Sequence, residues 1–356
     1  MPSPSTPSHR VIIVGGGQAG AATAHYLLRA GIDVLVLDDQ EGPGGAWRHV
    51  WPSMTLFSTA DFSNLPGIPM PPFDGFPPAS HVIDYLRKYE HRYSIPVERP
   101  VHVTRVGFRG GANAPGLSDA PSTPDPHDRR FVIHAADRAW TADHVVAATG
   151  TWSAPFVPMR PGTFVGKQWH SAHYPGPEPF RGSRVAVVGG ANSAAQIAAE
   201  LTRVADVTWF TRREPRWMPV DVDGRVLFRR NRERMLAILC GEDDPGADSR
   251  LGDIVMLPEV LAARDEGRLR ATPMFRSLDE LGGPGGFDHL IWCTGFRPAL
   301  GPVRSLLDGR RPTVPGLHLV GYGDWAGPGS ATITGVGPHA KATAHAIAET
   351  YGTTVR

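Results

Sequence analysis

Two glycine-led turns, each set between a short apolar run and a helix-periodic stretch, constrain this chain more than any other feature. The first follows Val11–Val14 and places Gly15, Gly17 and Gly20 in a G-x-G-x-x-G frame. A helix-periodic segment from Ala19 to Ala30 stops at Gly31, and a second apolar run, Val34–Leu37, closes on Asp38. Strand, tight turn, helix and strand in that order form a dinucleotide-binding βαβ unit. Gly15 permits the turn, Gly17 lets the backbone approach a pyrophosphate, and Gly20 lets the helix pack on the strand. Gln18 and Ala19 open the helix, whose N-terminus offers unpaired N–H groups and partial positive charge to phosphates.

The second turn follows Val185–Val188, with Gly189, Ala191 and Ala194 in the three motif positions and Asn192 and Ser193 within the cradle. Gly15 and Asp38 are 23 positions apart, and the same count from Gly189 reaches Arg212. A carboxylate at that register accepts hydrogen bonds from a ribose diol, whereas a guanidinium favours a 2′-phosphate through charge-assisted contacts. Asp38, or its neighbour Asp39, is therefore expected to hold an adenosine ribose. Arg212, helped by Arg213, is expected to hold the 2′-phosphate of NADPH.

The 356 residues suffice for two domains with separate cores. A formal net charge of +1, without a long basic tract, gives no reason to expect a nucleic-acid partner. The apolar runs are strand-sized, and a mean hydropathy of −0.20 argues against a membrane partner. The opening residues, rich in proline and serine, lack the apolar core of a secretory signal, and residues 1–9 are expected to form a disordered lead. Cys240 and Cys293 are the only cysteines and show no CxxC or metal-ligand spacing. This usage points to a reducing cytoplasm, to no metal site, and away from electron transfer through an adjacent dithiol. Cys293 is expected to fill a tight strand end.

A helix is expected to start near Ser80, burying Val82, Leu86, Tyr89 and Tyr93, and Gly110–Asp128 reads as a surface loop. The runs Val145–Ala148 and Leu290–Cys293 end in the pairs Thr149–Gly150 and Thr294–Gly295. Each pair marks a strand leaving a nucleotide fold, so the second domain is expected to be inserted into the first. The final strand is placed at Leu317–Val320 and a closing helix at about Pro338–Tyr351. The expected fold is α/β with two Rossmann-like, three-layer ββα domains. Residues 10–160 and 291–356 form a discontinuous first domain, and 161–290 form the inserted one.

Further residues carry a resemblance. Gly44, Gly45 and Trp47, followed by Arg48, match a G-G-x-W segment. Phe164, Gly166, His170 and Tyr174 match the fingerprint F-x-G-x-x-x-H-x-x-x-[YF]. On these the chain resembles the single-component flavin monooxygenases that bind FAD and NADPH. The segments MTLFS, LGDIVMLPEV, WCTGFRPAL and GYGDWAG are most similar to small bacterial flavoproteins encoded beside arsenic- and metal-resistance genes. Tyr174, where Baeyer–Villiger relatives carry tryptophan, points to the heteroatom-oxygenating and auxin-forming branches. The pair Gly323–Asp324 resembles an element whose carboxylate meets the flavin ribityl chain.

The resemblance implies that NADPH reduces FAD and that the reduced flavin forms a 4a-hydroperoxide with O₂. One oxygen atom then enters a small molecule at a soft heteroatom (N, S or As) or an oxo-acid. An NADPH-dependent flavin reductase is the alternative. It also implies cofactor contacts from Gly45, Trp47 and Arg48, with Trp47 serving as flavin wall or as core. His170 is expected to be a structural or hinge residue ahead of a proton-transfer one. Many relatives place a flavin-facing asparagine after the G-G-x-W segment, but Thr59 stands there, so no catalytic side chain is assigned. Oligomeric state is not legible in the sequence.

Overall fold

The computed structural model describes residues 6–109, 130–220, 224–246 and 254–355. Residues 1–5 of the expected lead and the expected loop Gly110–Asp128 lie outside them.

The first sheet is built from β1 (Ser8–Val14), β2 (Val34–Leu37), β3 (Val97–Glu98), β4 (Arg105–Phe108), β5 (Phe131–Ala135) and β6 (Arg138–Ala147). Their order is β3-β2-β1-β6-β5-β4. The pairs β3–β2, β2–β1 and β1–β6 are parallel, and β6, β5 and β4 form an antiparallel meander. Val11–Val14 and Val34–Leu37 are buried throughout, as expected of parallel strands covered on both faces. Strand β1 begins at Ser8, inside the segment expected to be disordered. Pro7 O accepts a hydrogen bond from the Thr141 N–H, and Asp33 contacts both the His9 ring and the Arg10 N–H, so pairing between two neighbouring strands orders residues that composition alone left free.

One face of this sheet carries α1 (Gln18–Arg29) and α2 (Ala79–Arg92). The buried face of α1 is largely alanine (Ala19, Ala21, Ala22 and Ala24), which combines high helix propensity with close approach. In α2, Val82, Tyr85, Leu86 and Tyr89 are buried at three- and four-residue spacing, while Tyr93 caps the helix and is only partly buried.

The second sheet comprises β7 (Lys167–His170), β8 (Arg184–Val188), β9 (Asp206–Thr211), β10 (Ala271–Pro273) and β11 (His289–Trp292), with α3 (Asn192–Leu201), α4 (Gly224–Leu239) and α5 (Pro258–Asp265) between its strands. Its order is β10-β9-β8-β11-β7, and every pair is parallel. After a short hairpin, β12 (Leu307–Asp308) and β13 (Arg311–Pro312), the chain returns to the first sheet. There β14 (Leu317–Leu319) pairs in parallel with the end of β6, and α6 (Val336–Glu349) packs against α1. Among the described residues, no helix is long and apolar enough to cross a membrane.

Candidate active site at the ends of the parallel strands

A cavity of about 840 Å³ opens beyond the C-terminal ends of β1, β2 and β6. Ligands of open α/β sheets bind at this kind of crevice. Of the residues expected to hold a cofactor, Gly15, Gly17, Gln18, Ala19, Asp38, Gly45 and Trp47 all line it. Gly20 lies behind the wall. A Cβ there would collide with the Gly15 carbonyl oxygen, so its role is close packing of α1 on β1. Gly45 is required for a different reason. Its φ is 52°, and a Cβ would stand 2.8 Å from the Gly17 Cα, in the floor shared by the two glycine turns.

Asp38 closes β2 and is 2% exposed. Its Oδ1 accepts from the Gly16 N–H at 3.1 Å, and its Oδ2 accepts from Arg99 Nε at 2.6 Å. Arg99 also makes two bonds to Glu90 on α2, at 2.8 and 2.6 Å. Burial opposes the Arg99 charge, but the hydrogen bonds to Glu90 and Asp38 overcome that and hold the guanidinium above its ordinary pKa. The sequence offered no signal for Arg99, because it is 61 residues from Asp38. Asp39, the other carboxylate left open as a ribose ligand, also lines the cavity and is about half exposed.

Gln18 Oε1 accepts from the Trp47 indole N–H at 2.9 Å, and Gln18 Nε2 donates to the Ala331 carbonyl at 2.6 Å. One amide thus joins three segments of the cavity wall, and Trp47 is held as a half-buried wall residue that also packs against the core. Two of the expected cofactor residues, Arg48 and Asp324, are not among the lining residues. Arg48 is exposed and reaches back toward the Pro43 carbonyl, because the 3-10 turn Gly45–Arg48 carries it to the outer side; His49 and Val50 line the cavity instead. Asp324 is also exposed and is not a lining residue. Gly321 and Ala331 line the cavity on either side of the 3-10 turn Gly323–Trp325, and the Asp324 carboxylate is close enough to Arg234 of α4 to act on its charge.

The two crossings between the sheets are bonded to each other. Pro155 and Phe296 form an antiparallel bridge, the Phe156 N–H donates to Gly295 O, the Arg297 N–H donates to Ala154 O, and Trp152 stacks on Phe296 at 5.0 Å. His170 clips this ribbon from β7. Its Nδ1 accepts from the Ala172 N–H at 3.0 Å, so its Nε2 carries the proton and donates to Gly295 O at 3.1 Å. Burial lowers its pKa, opposed by the bond to Gly295. Both ring nitrogens of the neutral imidazole are thus occupied by backbone. Tyr174, which also lines the cavity, is buried and donates to Glu200 Oε2 at 2.9 Å; burial, then the Glu200 charge, raises its pKa.

In the second cradle, Gly189 O accepts from the Trp209 indole at 2.6 Å. Asn192 Oδ1 accepts from the Val255 N–H at 2.8 Å, so this side chain already holds a neighbouring loop, and Ser193 follows it on α3. Arg212 directly follows β9 and lines a cavity of about 440 Å³ with Thr211, Arg160, Phe275 and Arg276. Arg213 is exposed and is not among the lining residues. Arg160 and Arg276, which sequence spacing did not single out, join Arg212 there because the linker and the end of β10 converge on the end of β9.

A flavin monooxygenase of Stenotrophomonas maltophilia, solved in a doubly substituted form, is 40% identical to this chain, with 97% of this chain and 100% of that one covered at a TM-score of 0.82. The chain belongs to the flavin monooxygenase family. A Geobacillus kaustophilus protein named uncharacterized oxidoreductase CzcO-like is 26% identical over 93% of this chain and 96% of its own length. Pig flavin-containing monooxygenase 1 is 27% identical over 59% of this chain and 41% of its own. The model of FAD dependent oxidoreductases matches residues 10–54, and that of pyridine nucleotide-disulphide oxidoreductases matches 123–232.

As a flavin monooxygenase, the chain is an FAD-dependent oxidoreductase acting on a small molecule and O₂. The larger cavity fits FAD on its own geometry. Its floor is glycine where a Cβ would intrude, the N-terminus of α1 faces it, and a buried carboxylate stands at the end of β2. Cys240 is exposed and Cys293 buried, and both are free.

Proposed function

We propose that the chain is an NADPH-dependent monooxygenase that inserts one oxygen atom into a small molecule at a soft heteroatom or an oxo-acid. Residues 10–160 and 291–356 hold FAD in this reading, 161–290 hold NADPH, and the protein works in the cytoplasm. The observation that carries it is the pairing of two cavities of different chemistry. One is floored by glycine and closed by Asp38. The other is lined by Arg160, Arg212 and Arg276, a set suited to a 2′-phosphate.

FAD, when bound, supplies hydride acceptance and oxygen activation. The protein supplies placement. The N–H groups at the start of α1 bind the diphosphate, Asp38 or Asp39 accepts from the ribose, and Gln18 fixes the Trp47 indole against the cavity. Trp152 and Pro155 wall it on the side of the crossings and exclude water. His170 keeps the two crossings in register without moving a proton, since both of its nitrogens are engaged.

The test is to supply the FAD-loaded protein with NADPH or NADH and ¹⁸O₂, together with a panel of thioethers, amines, organoarsenicals and indole oxo-acids. The expected result is NADPH-preferring turnover with one ¹⁸O atom in product. Turnover that only passes electrons to added acceptors, with no labelled product, would establish a reductase instead.

A further inference from the structure

Three chain segments meet beside the larger cavity at one buried phenol. They are the exit from β6 at Thr149, the returning crossing at Ala299, and the residues after β14 at Tyr322. Thr149 and Ala299 line the cavity; Tyr322 lies behind them, 3% exposed. Thr149 Oγ1 donates its hydrogen to Ala299 O at 2.7 Å. The Tyr322 hydroxyl, 2.7 Å from the same oxygen, must therefore donate to it, and it accepts from the Thr149 N–H at 3.2 Å. The Ala299 N–H donates back to Gly150 O at 2.9 Å. The result is a one-way chain of hydroxyls, Tyr322 to Thr149 to Ala299, that ties the outgoing crossing to the returning one. Phenylalanine would fill the same apolar niche without a polar atom to bury, so packing alone does not account for tyrosine.

We propose that Tyr322 is a positioning residue for the reaction. Through Thr149 it sets the spacing of the two crossings where they leave the flavin cavity, and hence the placement of the second nucleotide against the first. This rests on the reading of the two cavities as FAD and NADPH sites. Tyr322 itself lies behind the cavity wall, so its effect is on alignment. Small errors in alignment cost rate far more than affinity.

The experiment compares wild type with Tyr322→Phe, Thr149→Val and the double variant. Hydrogen exchange at the Ala299 and Arg297 amides is followed without NADPH, and flavin reduction by NADPH is followed by stopped flow. The expected result for Tyr322→Phe is faster exchange at both amides and a limiting reduction rate lowered about tenfold, with the Kd for NADPH within a factor of two of wild type. The double variant is expected to be no worse than the poorer single one. Unchanged exchange and reduction rate in Tyr322→Phe would overturn the proposal, even if its Tm fell, and so would losses that multiply in the double variant. Should Tyr322→Phe fail to fold, Thr149→Val decides by the same readouts. A wild type not reduced by NADPH would refute the assignment of function, while the exchange data would still decide the clamp.

Discussion

The indole N–H of Trp47 and the side-chain amide of Gln18 meet at 2.9 Å, and the far side of the same amide holds Ala331. Gln18→Leu removes both bonds while keeping the size of the side chain. The expected outcome is FAD binding weakened by about 1–2 kcal/mol. Titration of the apoprotein with FAD checks it.

The carboxylates of Asp38 and Glu90 share the Arg99 guanidinium in a nearly dry setting. Arg99→Met leaves two buried carboxylates without their cation and should destabilise the apoprotein by roughly 3–5 kcal/mol. Asp38→Asn leaves Arg99 paired with Glu90 and should cost less stability but more FAD affinity. Urea unfolding and FAD titration of the two variants separate the effects.

Arg212→Asp places a carboxylate in a cavity that Arg160 and Arg276 still line. NADPH binding should weaken by about 1–3 kcal/mol more than NADH binding. Arg213→Asp, outside that lining, should shift the preference less. Equal losses of both nucleotides with Arg212→Asp would refute the 2′-phosphate assignment.

Burial, with a smaller contribution from Arg29, lowers the pKa of His25 to about 4, and burial, then His144, does the same for His318. Both imidazoles are neutral in the folded protein, and the unfolded chain binds more protons between their folded values and the usual 6.5. Stability is therefore full above pH 6.5 and falls as pH drops toward 4, with a slope of up to about 1.4 kcal/mol per pH unit from His25. Neither His25 ring nitrogen has a hydrogen-bond partner, so His25→Leu should flatten the slope. Urea midpoints between pH 4.5 and 8 measure it.

Because both nitrogens of His170 are bonded to backbone, His170→Ala should lower stability by about 1–2 kcal/mol and leave the pH profile of kcat between 6 and 9 unchanged in shape. Loss of an acidic limb from that profile would make His170 a base after all.

The parts of the molecule governed by short-range pattern were legible in the sequence. Gly15, Gly17 and Gly45 announced the cavity floor because backbone approach demands glycine there, and the Val11–Val14 and Val34–Leu37 runs announced buried parallel strands. The parts that depend on where a side chain emerges from a turn were not. Arg48 and Asp324 sit in or beside segments of the cavity wall, yet each rides a 3-10 turn and is exposed rather than among the lining residues. Arg99, Arg160, Arg276 and Tyr322 were invisible for the opposite reason. Each acts on partners dozens to hundreds of residues away, and no local spacing encodes such a meeting.

The bridge between Pro155 and Phe296 brings the two cut points of the interrupted fold side by side. A loop of a few residues across that gap would bypass the intervening 140 positions and leave the first sheet with every one of its own strands. The architecture thus carries its own seam. A lineage, or an engineer, could exchange the second sheet and its helices as a cassette while the half that carries the larger cavity stayed whole.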